Sequence, residues 1–299
     1  MTLTNKINRI IEPIFVIALS LISLYLGKTS FIFVGLVPIL FAIFYFNEGF
    51  VSFLLGAVGT YLVGLFFIDK DALIMGLIPL ILIAVSFIIP ISIKATDKSQ
   101  IITGFLVASL VFILLYKYKM IIDKVNVEDL ALNLKANFEK AYPYKLDLEI
   151  YRMTIAAYPS VIASISLVYS ILAVKIIRNY LAYRTDTYRD IKNLDDLRIN
   201  LKGLIVVFLI EALICFLANK WGVDNTYILV NLIFMNFAFF AINGASLFDF
   251  VLRNSKLPLS RAFQWFFLLI LLQVLVLPLA LFGFLDVFID FRRRRRNEK

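Results

Sequence analysis

Glu211 stands about midway along the apolar run 203–219, and a carboxylate there is the group of this chain best placed to hold a proton, a cation or a polar cargo. Within lipid it costs at least a few kcal/mol unless it faces the bundle interior, is protonated or finds a partner. The next apolar run, 227–252, adds Asn231, Asn236, Asn243 and Asp249. At about 100° per residue, Asn236 and Asn243 share one helix face while Asn231 and Asp249 align on another, so this helix should meet protein or water on more than one side. These five residues form a candidate intramembrane polar site. The plainer alternative is that they only glue helices together through interhelical hydrogen bonds. Glu211 is expected to contact Asn236 or Asn243, because a packed helix carrying amides offers the donors that lipid lacks.

Asp286 and Asp290 lie four apart near the end of the last apolar run and are followed by Arg292, Arg293, Arg294, Arg295 and Arg296. Carboxylates at this spacing can hold a divalent metal in prenyl or phosphatidyl transferases. Such enzymes carry a second acidic cluster, and this sequence has none; pairing with arginine accounts better for the two aspartates. There is no histidine and a single cysteine, Cys215, so an internal disulfide and an imidazole-based zinc or haem site are excluded. Cys215 reads as a small buried hydrophobe. No phosphate-binding loop, metal-ligand cluster or nucleophile elbow is present. The expectation is a protein that is not an enzyme and uses no cofactor.

The elements that must position these residues are apolar helices. Of the 299 residues 62% are hydrophobic and 17% charged, and the mean hydropathy is +0.90, which makes lipid the solvent for most of the chain. Apolar segments run approximately 11–27, 31–46, 50–68, 73–93, 101–121, 153–177, 203–219, 227–252 and 262–288. A bilayer core about 30 Å thick is crossed by roughly 20 helical residues, so the fold class is an all-α, polytopic transmembrane helix bundle of eight or nine apolar segments. The very short links at 28–30, 47–49 and 69–72 force antiparallel neighbours. The first segment follows Lys6 and Arg9 without an A-x-A-like cleavage site and reads as an uncleaved helix.

The net charge of +9 sits between and after the apolar segments, where cations face anionic headgroups and set orientation, so the expected partner is the lipid bilayer and not nucleic acid. The connection 178–202 carries Arg178, Arg184, Arg189, Lys192, Arg198 and Lys202 and is assigned to the cytoplasm, which places the amino terminus inside if six crossing segments precede it. Nine full crossings would leave the arginine tail outside, against the charge rule. Eight crossings with the tail inside reconcile the charges: the last segment, containing Pro278 and Gly283, is re-entrant, or the short second segment, interrupted by Pro38, does not cross. The connection 122–152 bears Val127, Leu130, Leu134 and Phe138 at helical spacing and is expected to form an amphipathic surface helix.

Ser52, Gly56, Thr60 and Gly64 recur every four residues and form a small-residue stripe on which helix backbones can approach closely. The stripe serves internal packing or docks a partner membrane protein. Prolines at 38, 79, 90, 159 and 278 bend or interrupt their helices and free backbone groups that secondary transporters use for binding.

The carboxy-terminal third carries Asn243-Gly244-Ala245, the basic turn Arg253 to Pro258, the run Leu279 to Asp286 ending in Gly283-Phe284-Leu285-Asp286, and Asp290-Phe291-Arg292. In these motifs and in length the chain resembles the YybS-like family of bacterial membrane proteins. That family is similar to the substrate-binding subunits of energy-coupling-factor vitamin transporters and to the cell-shape protein MreD. The resemblance implies a single integral membrane domain over 1–299, with a six-helix unit at 11–177, the basic connection 178–202 and an appended three-segment unit at 203–288. The A-x-x-x-A docking pattern of such subunits is absent from the first helix, where Ala18 is followed by Ile22 and only Ser23 and Gly27 keep the spacing. The expected function is a small-molecule binding or transport subunit in the bacterial cytoplasmic membrane. The alternative is a non-catalytic membrane scaffold for cell-envelope or division proteins.

Overall fold

The computed structural model describes residues 3–26, 31–191, 198–254 and 260–292. Among them are eleven α-helices and no strand. Lys192 and Arg293 to Arg296, which the sequence reading used for orientation, and the part of the basic turn from Lys256 to Pro258 lie outside the described residues. The helices are α1 (Leu3–Leu26), α2 (Phe31–Gly64), α3 (Lys70–Ser92), α4 (Asp97–Ile122), α5 (Val127–Ala141), α6 (Leu148–Ala156), α7 (Tyr158–Arg184), α8 (Leu201–Lys220), α9 (Asn225–Arg253), α10 (Arg261–Val274) and α11 (Val276–Ile289). Among the described residues six stretches are long and apolar enough to cross a membrane: Val34–Gly64, which is broken at Gly49, Lys70–Ser92, Asp97–Ile122, Tyr158–Arg184, Leu201–Lys220 and Asn225–Arg253. The protein is thus a helical, multi-pass membrane protein by length and composition.

Polar residues in the links start these helices. Asp69 accepts hydrogen bonds from the amides of Asp71 and Ala72, Asn200 from Gly203, and Asp224 from Thr226. At α5, Asn126 and Asp129 form a reciprocal capping box.

The described chain divides into two compact units, 1–117 with 165–191, and 118–164 with 192–299. The first assembles α1, α2, α3, most of α4 and the later part of α7; the second groups the surface connection with the carboxy-terminal residues. Both α4 and α7 contribute residues to each unit.

In the first unit α2 is one helix in name only. Gly49 adopts φ 84° and ψ −178°, a backbone open to glycine, and the chain reverses there. A straight helix would separate residues 44 and 56 by ~18 Å. Instead a Cβ on Gly56 would lie 3.1 Å from the Phe44 ring, and the rings of Phe41 and Phe53 are 5.7 Å apart. Segments two and three are therefore the arms of a tight hairpin. Gly59 meets Ile17 and Gly64 meets Leu21, so α1 runs alongside the second arm in the same direction; Gly64 also meets Leu73 and Gly76 meets Leu24. This is the up-and-down packing that short links impose. The small-residue stripe is its seam: Gly56, Thr60 and Gly64 are buried and Ser52 half-buried, while Val51, Leu55, Val58 and Leu62 point outward.

In the second unit α5 and α6 form the amphipathic surface layer, joined by Phe138 against Tyr151 and by Arg152 on Glu128 at 2.6 Å. The Arg152 guanidinium holds the Glu128 carboxyl below the usual carboxylate range. Segment 153–177 is interrupted at Ala157, where Pro159 enters the first turn of α7 with no amide to lose. The last apolar segment is likewise two helices. It breaks at Leu275, three residues before Pro278, leaving α10 and α11 with 14 residues each, ~21 Å of helix and less than a bilayer core.

Candidate functional site

The helices α9 and α11 touch backbone to backbone. A Cβ on Gly244 would lie 1.9 Å from the Leu279 carbonyl oxygen, and one on Gly283 would lie 1.9 Å from that of Phe240. Four residues forward on α11 correspond to four back on α9, so the two run in opposite directions where they meet. Only glycine at both positions permits this approach.

Around that crossing the second unit buries its charges. Asp286 is 0% and Arg292 3% exposed. Arg292 Nε lies 3.1 Å from Asp286 Oδ2, and its guanidinium donates to Ser246 Oγ at 3.1 Å and to the Asn243 carbonyl at 3.3 Å. Arg198 joins from the segment before α8, its Nη1 2.8 Å from Asp290 Oδ1 and its Nε 3.7 Å from Asp286 Oδ2. The chain can turn back because Asp290 takes a left-handed backbone with φ 51°, and the Phe291 amide then donates to Asp286. Two aspartates and two arginines thus neutralise one another, which offsets the desolvation that a lone buried charge would incur. The carboxylates are occupied by arginine, as their spacing suggested. Among the described residues no cluster of three acidic or cysteine side chains could hold a metal.

The five candidate residues do not converge on one point. Asn231 donates to the Ala156 carbonyl and accepts from the Ser160 amide, both at 3.0 Å, clasping the interruption between α6 and α7. Asn243 donates to the Gly283 carbonyl at 2.7 Å and accepts from the Ile199 amide at 3.1 Å. Asp249, fully buried, pairs with Arg261 at 2.9 Å, and Arg261 also donates to Gln264. Asn231 and Asp249 stand ~27 Å apart along α9. Only Glu211 and Asn236 meet each other, the amide donating to Glu211 Oε1 at 2.6 Å.

That contact is the polar link between α8 and α9. Of α8 only Leu204 is fully buried, and Phe208, Leu209, Ile210, Leu213, Ile214 and Phe216 are exposed around the helix. Cys215 is half-buried on the same helix rather than enclosed.

The first unit holds polar groups that the sequence reading passed over. The hydroxyl oxygens of Ser20, Ser109, Ser166, Tyr169 and Ser170 are buried with no hydrogen-bond partner. Tyr169 is half-buried as a residue with its hydroxyl oxygen enclosed, and its ring packs against Phe87, Phe112 and Gly35. Elsewhere helix hydroxyls fold back onto a preceding carbonyl, as Thr60 does on Gly56 and Ser86 on Ile83. A tyrosine is too long to do so. Ser166 and Ser170, four apart in an apolar segment, were the visible signal. The ends of the helices are tied separately: Arg178 donates to Asp97 and Gln100, and Asn47 to Tyr180. Comparison with protein-family models, with curated proteins and with solved structures finds no match to this chain.

Proposed function

We propose that this chain is a small-molecule binding or transport subunit of the bacterial cytoplasmic membrane, multi-pass and without catalytic chemistry of its own. The observation that carries the reading is the set of unpartnered hydroxyls inside the first unit, Tyr169 foremost. Each buried hydroxyl left without a partner costs about 1–3 kcal/mol, and a ligand bearing donors and acceptors would recover that cost. Aromatic rings from α3 and α4 beside a phenol suit a flat, partly polar molecule. The resemblance to the YybS-like family, and through it to vitamin-transporter substrate-binding subunits, supports the same assignment, since six helical pieces build the first unit. Eight crossings with a cytoplasmic tail, the last apolar segment being re-entrant, fit the two 14-residue helices that replace a ninth span.

One observation favours the second reading, a membrane scaffold for envelope or division proteins: α8 offers an apolar surface almost all round. A partner membrane helix could cover it as lipid does. Thermal stabilisation of the purified full-length protein by a metabolite library separates the two. A compound that stabilises wild type and loses its effect in Tyr169→Phe and Ser166→Ala/Ser170→Ala supports transport. No stabilising compound, with envelope proteins copurifying from native membranes, supports the scaffold.

A further inference from the structure

We infer that Glu211 is a reversible proton-binding site, carried within the membrane as a neutral carboxylic acid joined to the Asn236 amide. Asn236 spends its Nδ2 on Glu211 Oε1. Its Oδ1 is buried and has no donor. An ionised carboxylate only accepts, so it leaves that oxygen unsatisfied; a protonated carboxyl adds one O–H donor beside the amide. Acid and amide then exchange two hydrogen bonds, and the pair closes on itself without help from another residue.

The surroundings agree. Glu211 is the eleventh residue of the twenty in α8, ~15 Å from either end of the helix. Its neighbours Phe208, Leu209, Ile210, Leu213 and Ile214 are exposed, which in a membrane means exposed to lipid tails. The helices packed against α8 are α9 and α11. From α9 the facing polar group is Asn236, which donates to Glu211 Oε1. The ionisable groups of those two helices and of the Asp290 cap are engaged elsewhere: Tyr227 with Tyr158, Asp249 with Arg261, Arg253 over the Phe250 ring at the end of α9, Asp286 with Arg292 and Arg198, Asp290 with Arg198. Among the described residues no cation pairs with Glu211 to keep it charged. Deprotonation transfers the proton to water and leaves a carboxylate held by the single Asn236 donor; reprotonation restores the two-bond pair. This deepens the transport reading by assigning a proton as the coupling ligand, and rests on it only for that use.

Dicyclohexylcarbodiimide in membranes holding the full-length protein tests the site. The reagent partitions into lipid and reacts with protonated carboxyls: the carboxyl oxygen adds to the central carbon, the proton passes to nitrogen, and nothing leaves. Peptide mass spectrometry should find the adduct on Glu211 at neutral pH, where the solvent-exposed, arginine-paired Glu128 has none. Yield should fall several-fold as pH is raised well above neutral, vanish in Glu211→Gln and persist in Glu211→Asp. Asn236→Leu, which removes the amide, should shift the pH at which labelling falls. Absence of a Glu211 adduct at neutral pH, or a pH profile coinciding with that of Glu128, overturns the proposal. Labelling needs no cargo, so an adduct in a protein that binds no small molecule leaves the proton site standing and removes the transport reading; bound cargo without an adduct does the reverse.

Discussion

Replacing Gly283 by alanine probes the closest contact in the molecule. The added Cβ would lie 1.9 Å from the Phe240 carbonyl oxygen and 2.5 Å from the Gly244 nitrogen. Both are backbone atoms of a helix, so no side-chain rotation relieves the clash. The helices must part by ~1 to 1.5 Å, which forfeits up to half or more of the dispersion energy along the seam. Overpacking of this kind costs about 1–3 kcal/mol. The same displacement stretches the 2.7 Å bond from Asn243 to the Gly283 carbonyl, and a buried amide left unpaired adds about 1–3 kcal/mol. The expected loss is therefore ~2 to 6 kcal/mol, with Gly244→Ala similar. Size-exclusion-monitored thermal denaturation in detergent measures it, against Leu213→Ala on the exposed surface of α8, which should stay within about 0.5 kcal/mol. Gly283→Ala and Gly244→Ala proteins as stable as Leu213→Ala would refute the backbone contact.

Asp286→Asn leaves Arg292 buried without its counter-charge and should destabilise by about 3–5 kcal/mol, while Asp286→Asn with Arg292→Met should recover part of the loss in the same assay. Equal losses in the single and double variants would show that the charges do not act together. Gly56→Leu should break the α2 hairpin, since even a Cβ there meets the Phe44 ring at 3.1 Å; unchanged detergent stability and oligomeric state would count against the seam. The Glu128 carboxyl is held low by Arg152, so its share of stability is present above the ordinary carboxylate range and lost as pH falls through the depressed value. Wild type should therefore exceed Glu128→Gln in melting temperature at neutral pH, and the difference should vanish on acidification. A difference that grows in acid would reverse the assignment.

Hydropathy exposed the helices because lipid demands long apolar runs, and the small-residue stripe was legible because a period of four defines a helix face. Breaks were harder. Pro159 and Pro278 announced interruptions, but their positions at Ala157 and Leu275 depend on which carbonyls find other partners. The Glu211–Asn236 contact was legible, because a mid-helix carboxylate needs an amide, but the partners of Asn231 and Asn243 were not, since periodicity assigns Asn243 a face and says nothing of Gly283, forty residues on. Arg292 was the hardest. It opens a run of five arginines that resembles a solvated tail, and only the left-handed turn at Asp290, a conformation uncommon outside glycine, folds it back onto Asp286. The buried hydroxyls of the first unit escaped notice because serine and tyrosine in an apolar segment ordinarily satisfy themselves or their neighbours.

Native mass spectrometry of the full-length protein released from its own membranes tests the central claim most directly, because it shows what occupies the bundle. The account predicts a discrete non-lipid small molecule bound to wild type, with its occupancy reduced in Tyr169→Phe at unchanged protein yield. Spectra showing lipid alone on both proteins would contradict it.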